Sequence, residues 1–247
     1  MIKYILLGVI QGLTEFLPVS SSGHLVIAQG LFGLAGEEIA VSIVLHLGTL
    51  CAVIIFFFKD ILRALRDIRL MAFILVVTLI TGAIGLLGRD FFEGLFSSPR
   101  LVILALFITG VILLMTRKAI PGERKEARLK DAVILGFAQA LAIIPGISRS
   151  GVTISTLLFR GISREFCFTL SFLVSIPLVL GASLLELKKV GFALQANPVN
   201  IIMGFLTSVI SGLFALSLLK LVIKRAKFYC FGYYCILAAA LALFFVK

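Results

Sequence analysis

Long apolar runs alternate with short polar ones along the whole chain. Stretches of about 20 apolar residues, the length an α-helix needs to cross the hydrocarbon core of a bilayer, lie at 39–58, 70–87, 101–116, 166–187, 200–223 and 228–246. They predict six transmembrane helices. Two further apolar stretches, 4–34 and 132–159, are broken in the middle by polar residues. The first is cut by Pro18-Val19-Ser20-Ser21-Ser22-Gly23-His24 and the second by Pro145-Gly146-Ile147-Ser148-Arg149-Ser150-Gly151. The flanking pieces, about 10–14 residues each, are too short to cross as helices. They read as two re-entrant helix-turn-helix hairpins.

The two broken stretches match one another at a displacement of 128 positions, as from Gly8 to Gly136, with Leu7/Leu135, Gln11/Gln139, Leu13/Leu141, Ser20/Ser148, Ser22/Ser150 and Gly23/Gly151 also in register. The chain therefore divides into two repeats, about 1–118 and about 129–247, inside a single integral membrane domain. Gly8 and Gly12 give the first half-helix a small-residue face suited to close helix packing in lipid. An odd number of spans between the hairpins makes the repeats inverted, one tip entering from each side, as in many transporters. The fold class expected is an all-α polytopic membrane protein with six transmembrane helices and two re-entrant hairpins.

Composition agrees with this and narrows the function. Of 247 residues 61% are hydrophobic and only 14% charged, so a soluble enzyme, a disordered chain and a nucleic-acid module are excluded. The 23 Lys+Arg against 12 Asp+Glu concentrate in the loops at 59–69, 117–130 and 220–227, with Arg160 and Arg164 beside them. Such loops face the cytoplasm. The first hairpin then dips in from outside and the second from the cytoplasm. The four cysteines have neither CxxC nor metal-ligand spacing and read as free packing thiols.

Ionisable residues at membrane depth are costly and mark function. The hairpins hold Glu15, His24 and Arg149, surrounded by Ser20, Ser21, Ser22, Ser148, Ser150 and Thr153. A guanidinium fork, hydroxyls and helix-start N–H groups make an anion site, with phosphate or diphosphate the expected anion. Gly23, Gly146 and Gly151 let the backbone approach it. His24 follows Ser21 by three residues and Ser20 by four, a nucleophile-plus-base spacing on a helix. Glu15 can orient the imidazole, accept a proton or bind a divalent cation. Ser20 and Ser148 suit helix caps. His46, within an apolar helix, is expected to be structural.

Gln11-Gly12-Leu13-Thr14-Glu15-Phe16-Leu17-Pro18-Val19-Ser20-Ser21-Ser22-Gly23-His24 and Pro145-Gly146-Ile147-Ser148-Arg149-Ser150-Gly151-Val152-Thr153 resemble the two signature motifs of the undecaprenyl-diphosphatase family, also called bacitracin-resistance proteins. The resemblance implies a plasma-membrane phosphatase, open toward the extracytoplasmic face, that converts undecaprenyl diphosphate to the monophosphate carrier lipid for peptidoglycan. It places catalytic roles on Glu15, Ser21, His24 and Arg149. Substrate contacts are expected at Gln11, Ser20, Ser22, Gly146, Ser148, Ser150 and Thr153. It also implies Mg²⁺ or Ca²⁺, with Glu15 as the candidate ligand, and leaves open whether Ser21 or His24 attacks phosphorus. The partners expected are the lipid substrate and membrane lipids, with no nucleic acid, and the sequence is compatible with a homodimer. The rival reading is a polyprenyl-phosphate flippase or secondary transporter, for which the serine and histidine cluster would be surplus.

Overall fold

In lipid, an apolar segment satisfies its own backbone hydrogen bonds only as a helix or a closed barrel. The computed structural model describes residues 1–32, 38–96, 98–119, 122–190 and 197–245, and its regular structure there is helical, apart from an isolated bridge between Arg124 and Ile162. In chain order the helices are α1 (Ile2–Phe16), α2 (Ser21–Phe32), α3 (Glu38–Phe56), α4 (Phe58–Arg66), α5 (Ile68–Leu87), α6 (Arg89–Phe96), α7 (Pro99–Met115), α8 (Leu129–Leu141), α9 (Arg149–Phe159), α10 (Arg164–Leu173), α11 (Ser175–Val190), α12 (Pro198–Lys224) and α13 (Cys230–Phe245). Their starts follow local chemistry. Asp67 accepts the N–H groups of Arg69 and Leu70 to cap α5, Asn197 accepts that of Val199 to cap α12, and Pro99 and Pro198 occupy first-turn positions where no N–H is needed.

Among the described residues four helical segments are long and apolar enough to cross a membrane: Ile68–Leu87, Pro99–Lys118, Arg164–Leu187 and Pro198–Lys224. A fifth is obtained if α3 and α4, bent by 73° at Phe57, count as one span. The sequence pattern predicts six. The difference has two local causes. The apolar run at 39–58 ends in the bend at Phe57. The run at 228–246 becomes helical only at Cys230, because the chain turns after Lys224 with Ala226 at φ 57, which leaves α13 with 16 residues. Both polar interruptions do break their helices: α1 stops at Phe16 and α2 starts at Ser21, while α8 stops at Leu141 and α9 starts at Arg149.

The first half-helix of each repeat packs against a long helix of the other. On one side α1 lies along α12, and on the other α8 lies along α5. At Gly12 an added Cβ would stand 2.0 Å from Ser211 Oγ and 2.6 Å from the Ser208 carbonyl, so only glycine permits the approach. The paired positions Gly8 and Gly136 each give their carbonyl to a hydroxyl on the facing helix, from Ser211 at 3.1 Å and from Thr81 at 3.0 Å. A third contact joins α7 to α13 through Gly110 and Gly232. Phe16, Phe57, Phe168 and Phe172 stack in the core beneath the hairpin tips.

The basic loops gather at one end of the molecule. Arg63, Lys220, Lys224 and Glu165 line a common cavity, and Arg124 and Arg160 share the carboxylate of Asp131, which is 1% exposed. Asp131 lies at the start of α8, outside the spanning helices. Burial alone would raise its carboxyl. Hydrogen bonds from Arg124, Arg160 and the Arg128 N–H outweigh that and bring it to about 2, from 3.8 for the free group.

Two predictions follow from this packing. Gly12→Ala should cost roughly 1–3 kcal/mol by overpacking, whereas Gly82→Ala, with nothing within 4 Å of the new Cβ, should leave the detergent melting temperature unchanged or slightly raised. A lower melting temperature for both would dissociate stability from the α1–α12 contact. A carboxyl lowered by folding stabilises above its unfolded value, and that contribution disappears as pH falls from 3.8 toward about 2. For Asp131 it amounts to roughly 2 kcal/mol. Asp131→Asn should therefore flatten the acid limb of the melting curve and, by leaving two arginines without their counter-charge, destabilise the neutral protein by about 3–5 kcal/mol.

Candidate active site

Each hairpin tip is shaped by residues that stop one helix and start the next. Leu17, before Pro18, is extended at φ −65 and ψ 141, as a residue preceding proline prefers. Ser20 then adopts φ 66, an uncommon conformation for a non-glycine residue, and turns the chain so that Ser21 opens α2. In the second tip the turn falls on Gly146 at φ 96, where a Cβ would stand 2.2 Å from the Val102 carbonyl of α7. Ser148 caps α9 by accepting the Gly151 N–H at 3.2 Å. Thr109 of α7 ties this tip down, donating to the Gly146 carbonyl and accepting the Ser148 N–H, both at 3.1 Å. On the other tip the Cys235 thiol of α13 donates to the Pro18 carbonyl at 3.2 Å.

The tips meet at Glu15. Its Oε1 accepts from Arg149 Nη2 at 2.7 Å, and its Oε2 accepts from the Ser21 hydroxyl at 2.7 Å and from Gln11 Nε2 at 3.3 Å. The carboxylate and the guanidinium are both largely buried. Arg149 also lies over the Phe172 ring, 5.9 Å from its centroid. The other terminal nitrogen of Arg149, Nη1, is buried and has no hydrogen-bond partner among the described residues. Such an orphaned charged donor costs a kcal/mol or more unless something accepts from it.

These groups border a cavity of about 320 Å³. Of the residues singled out by sequence, Glu15, Ser20, Ser21, Ser22, Ser148 and Arg149 line it, together with Thr14 and, from α11, Ser183 and Glu186. Gln11 sits behind Glu15, fully buried. Ser150 faces Ser148, oxygen to oxygen at 3.3 Å, which repeats the 3.3 Å approach of Ser22 to Ser20 in the first tip. Gly146 packs against α7, and Thr153 bonds Ser171 at 2.6 Å; neither borders the cavity.

The two histidines differ from expectation. His24 places Nδ1 on the Ser20 carbonyl at 2.9 Å and Nε2 on the Tyr234 hydroxyl at 2.7 Å, so both ring nitrogens are engaged away from Ser21. His46, expected to be structural, lines the cavity with Nε2 3.7 Å from Glu15 Oε2. Its Nδ1 meets the Ser42 carbonyl at 2.8 Å and must donate there, which leaves Nε2 to face the carboxylate. Neither His46 nor Thr109 could be found from spacing. Each lies on a long apolar helix, and the contact that ties it to a tip, Glu15 for His46 and Gly146 and Ser148 for Thr109, comes from a distant part of the chain.

The arrangement supplies a hydroxyl with a carboxylate to take its proton, a cation with a free donor, and helix-start N–H groups. That is a kit for attack on a phosphate ester or anhydride. It does not fit a protein-held divalent cation. Both Glu15 oxygens are taken by donors with a guanidinium alongside, and among the described residues no three His, Cys, Asp or Glu side chains converge to hold a metal.

Comparison with known proteins agrees with this chemistry. The family model described as "Bacitracin resistance protein BacA" matches residues 4–241. Among curated proteins, the chain is 43% identical over 242 residues to the undecaprenyl-diphosphatase of Halothermothrix orenii, covering 94% of this chain and 93% of that one. It is 44% identical to the undecaprenyl-diphosphatase of Thermotoga petrophila, covering 96% and 98%. For the undecaprenyl-diphosphatase of Desulforapulum autotrophicum the identity is 40% over 257 residues, covering 94% and 93%. Matched almost from end to end, with both hairpin tips inside the match, the chain belongs to the BacA family of bacitracin resistance proteins.

Proposed function

We propose that the protein is a membrane phosphatase that hydrolyses undecaprenyl diphosphate to undecaprenyl phosphate and inorganic phosphate, returning the carrier lipid to cell-wall synthesis. The observation that carries this reading is the Glu15 carboxylate, which touches the Ser21 hydroxyl and the Arg149 guanidinium at once, each at 2.7 Å. A transporter has no use for a hydroxyl aligned on a buried base.

In the proposed reaction the diphosphate enters the cavity and gives oxygens to Arg149 Nη1 and to the N–H groups that open α2 and α9. Ser21 Oγ attacks the terminal phosphorus while Glu15 Oε2 takes its proton. The bond from phosphorus to the bridging oxygen breaks, and the polyprenyl monophosphate leaves. Glu15 passes its proton through His46 Nε2 to the departing phosphate. A water then attacks the phosphoserine, giving its proton to Glu15 and thence to Ser21 Oγ, and inorganic phosphate is released. Donors aimed at the developing charge contribute most of the acceleration in such sites. Arg149 holds its place through Glu15, so the base and the clamp are one unit. His24, bonded to Tyr234, holds α2 against α13 and is a positioning residue here. A Mg²⁺ or Ca²⁺ ion would arrive as a counter-ion of the diphosphate, since Mg²⁺ is commonly held by substrate phosphates with few protein carboxylates.

The finer topology belongs to the same proposal. The two hairpins are re-entrant, α13 and the α3–α4 pair complete the set of six crossings, and the basic end of the molecule faces the cytoplasm. The cavity then opens toward the outer face of the plasma membrane. The proposed chemistry is complete within one chain.

Phosphate release from undecaprenyl diphosphate in detergent should fall by at least about 10²-fold in Ser21→Ala and in Glu15→Gln. Arg149→Lys, which keeps the charge but loses the fork, should fall by a similar factor. With substrate labelled in the terminal phosphate, a rapid quench in neutral detergent should leave label on a Ser21 peptide that survives a later acid wash. Acid-labile label on His24 would overturn the assignment of the nucleophile, and full activity in Ser21→Ala would overturn the mechanism.

A further inference from the structure

The polar side of the cavity accounts for a diphosphate head, and its apolar side, with Ile143, Ile144, Leu178 and Val179, is too short to hold a long hydrocarbon tail. Its wall changes character within one short segment. Ala142, Ile143 and Ile144, just past the end of α8, line the cavity. Phe137, Ala138, Ala140 and Leu141, in the last turns of α8, line a separate groove of about 360 Å³ together with Ile84 of α5 and Phe92 of α6. All six groove residues are apolar, so the groove offers nothing to a charged head.

Ile143 carries the cavity wall onto the helix that also lines the groove. Its Cδ1 lies 3.0 Å from where a Cβ on Gly85 would stand, so a cavity-lining side chain rests on α5 directly beside the groove-lining Ile84. The turn between α5 and α6 sets the opposite wall. The Phe92 ring folds back over Gly88, whose added Cβ would come within 2.8 Å of it. Phe137 and Leu141 are 57% and 56% exposed, so the groove is open on the side that faces away from the bundle. At membrane depth that side is hydrocarbon.

We infer that this groove between α5, α6 and α8 is the tail subsite, taking the head-proximal isoprenoid units of a polyprenyl diphosphate whose head lies in the cavity. The inference rests on the reading of the cavity as a lipid-diphosphate site. One continuous segment, 137–144, supplies the apolar wall for the tail and then the wall around the head, which suits a ligand that changes from hydrocarbon to anion across a single C–O bond. Ala138 and Ala140 leave room at the groove wall for a branched chain. Tail contacts act alike in ground and transition states, so they set KM rather than kcat.

The test uses the full-length protein in detergent and a polyprenyl diphosphate with a photoreactive diazirine in its second isoprenoid unit. Label should map to peptides containing Ile84 or Phe137–Leu141, and unlabelled undecaprenyl phosphate should compete for it far better than phosphatidylglycerol. Ala138→Trp, which fills the groove, should raise KM by at least about fivefold with kcat within twofold, and should lose the label. Leu141→Ser, a change without added bulk, should shift KM in the same direction and serves if the tryptophan variant unfolds. Label confined to other helices, equal competition by phosphatidylglycerol, or unchanged KM in both variants would overturn the tail subsite. Wild-type protein that neither binds nor hydrolyses the lipid diphosphate would instead overturn the reading of the cavity, so the two failures are distinct.

Discussion

A carboxylate and a guanidinium 134 positions apart in sequence meet at 2.7 Å inside a hydrophobic bundle. The desolvation of such a pair is repaid only when the geometry is good and the remaining lone pairs and protons find partners. Glu15 meets that condition with Ser21 and Gln11, whereas Arg149 keeps one buried nitrogen without a partner among the described residues. The rest of the structure keeps the two tips in place. α1 is held on α12 and α8 on α5 by glycine contacts too close for any other residue, and Thr109 and Cys235 pin the two turns from α7 and α13. In each case the element that fixes a tip comes from the opposite repeat. Neither half of the chain could form the site by itself.

The repeats share a scaffold and divide the chemistry. In the register that pairs Gly8 with Gly136 and Ser20 with Ser148, Ser21 corresponds to Arg149 and Glu15 to Ile143. The residue that opens the second half-helix is therefore a hydroxyl in one repeat and a cation in the other. Glu15, in the last turn of α1, brings a carboxylate to the cavity, whereas Ile143, two residues past the end of α8, brings an apolar side chain to its wall. Two copies of either tip would place like groups together: two carboxylates with no clamp, or two guanidiniums with no base. The divergence of these two positions converts a symmetric pair of broken helices into a site with a polar end and a hydrocarbon end.

Much of this was readable in the sequence because polar residues in a long apolar run have no neutral explanation. Glu15, Ser21 and Arg149 stood out for that reason, and the structure brings them into contact. The reading of His24 as the base rested on its spacing from Ser21, and helical spacing fixes which face a side chain occupies but not which way its ring turns. Tyr234, 210 positions away, takes the nitrogen that would have faced the serine. His46 was missed for the converse reason: one histidine in an apolar helix has no local pattern, and its carboxylate partner is on another helix. The span count differed because hydropathy measures how long an apolar run is and is blind to a bend inside it, such as the 73° turn at Phe57.

The break in each helix is itself the chemical requirement. A continuous transmembrane helix spends every backbone N–H on its own carbonyls and presents none at membrane depth. Stopping at Phe16 and restarting at Ser21, or stopping at Leu141 and restarting at Arg149, frees the N–H groups of a new first turn inside the bundle. Ser148 satisfies one of them at Gly151, and Ser21, Ser22 and Arg149 of these first turns line the cavity. Unpaired backbone donors are tolerable in a membrane only under that condition. A diphosphate head drawn below the headgroup region needs donors of this kind, because it leaves its water behind. The same interruption of each helix is what would let the proposed diphosphate head bind inside the bundle, with its tail against the adjoining apolar surface.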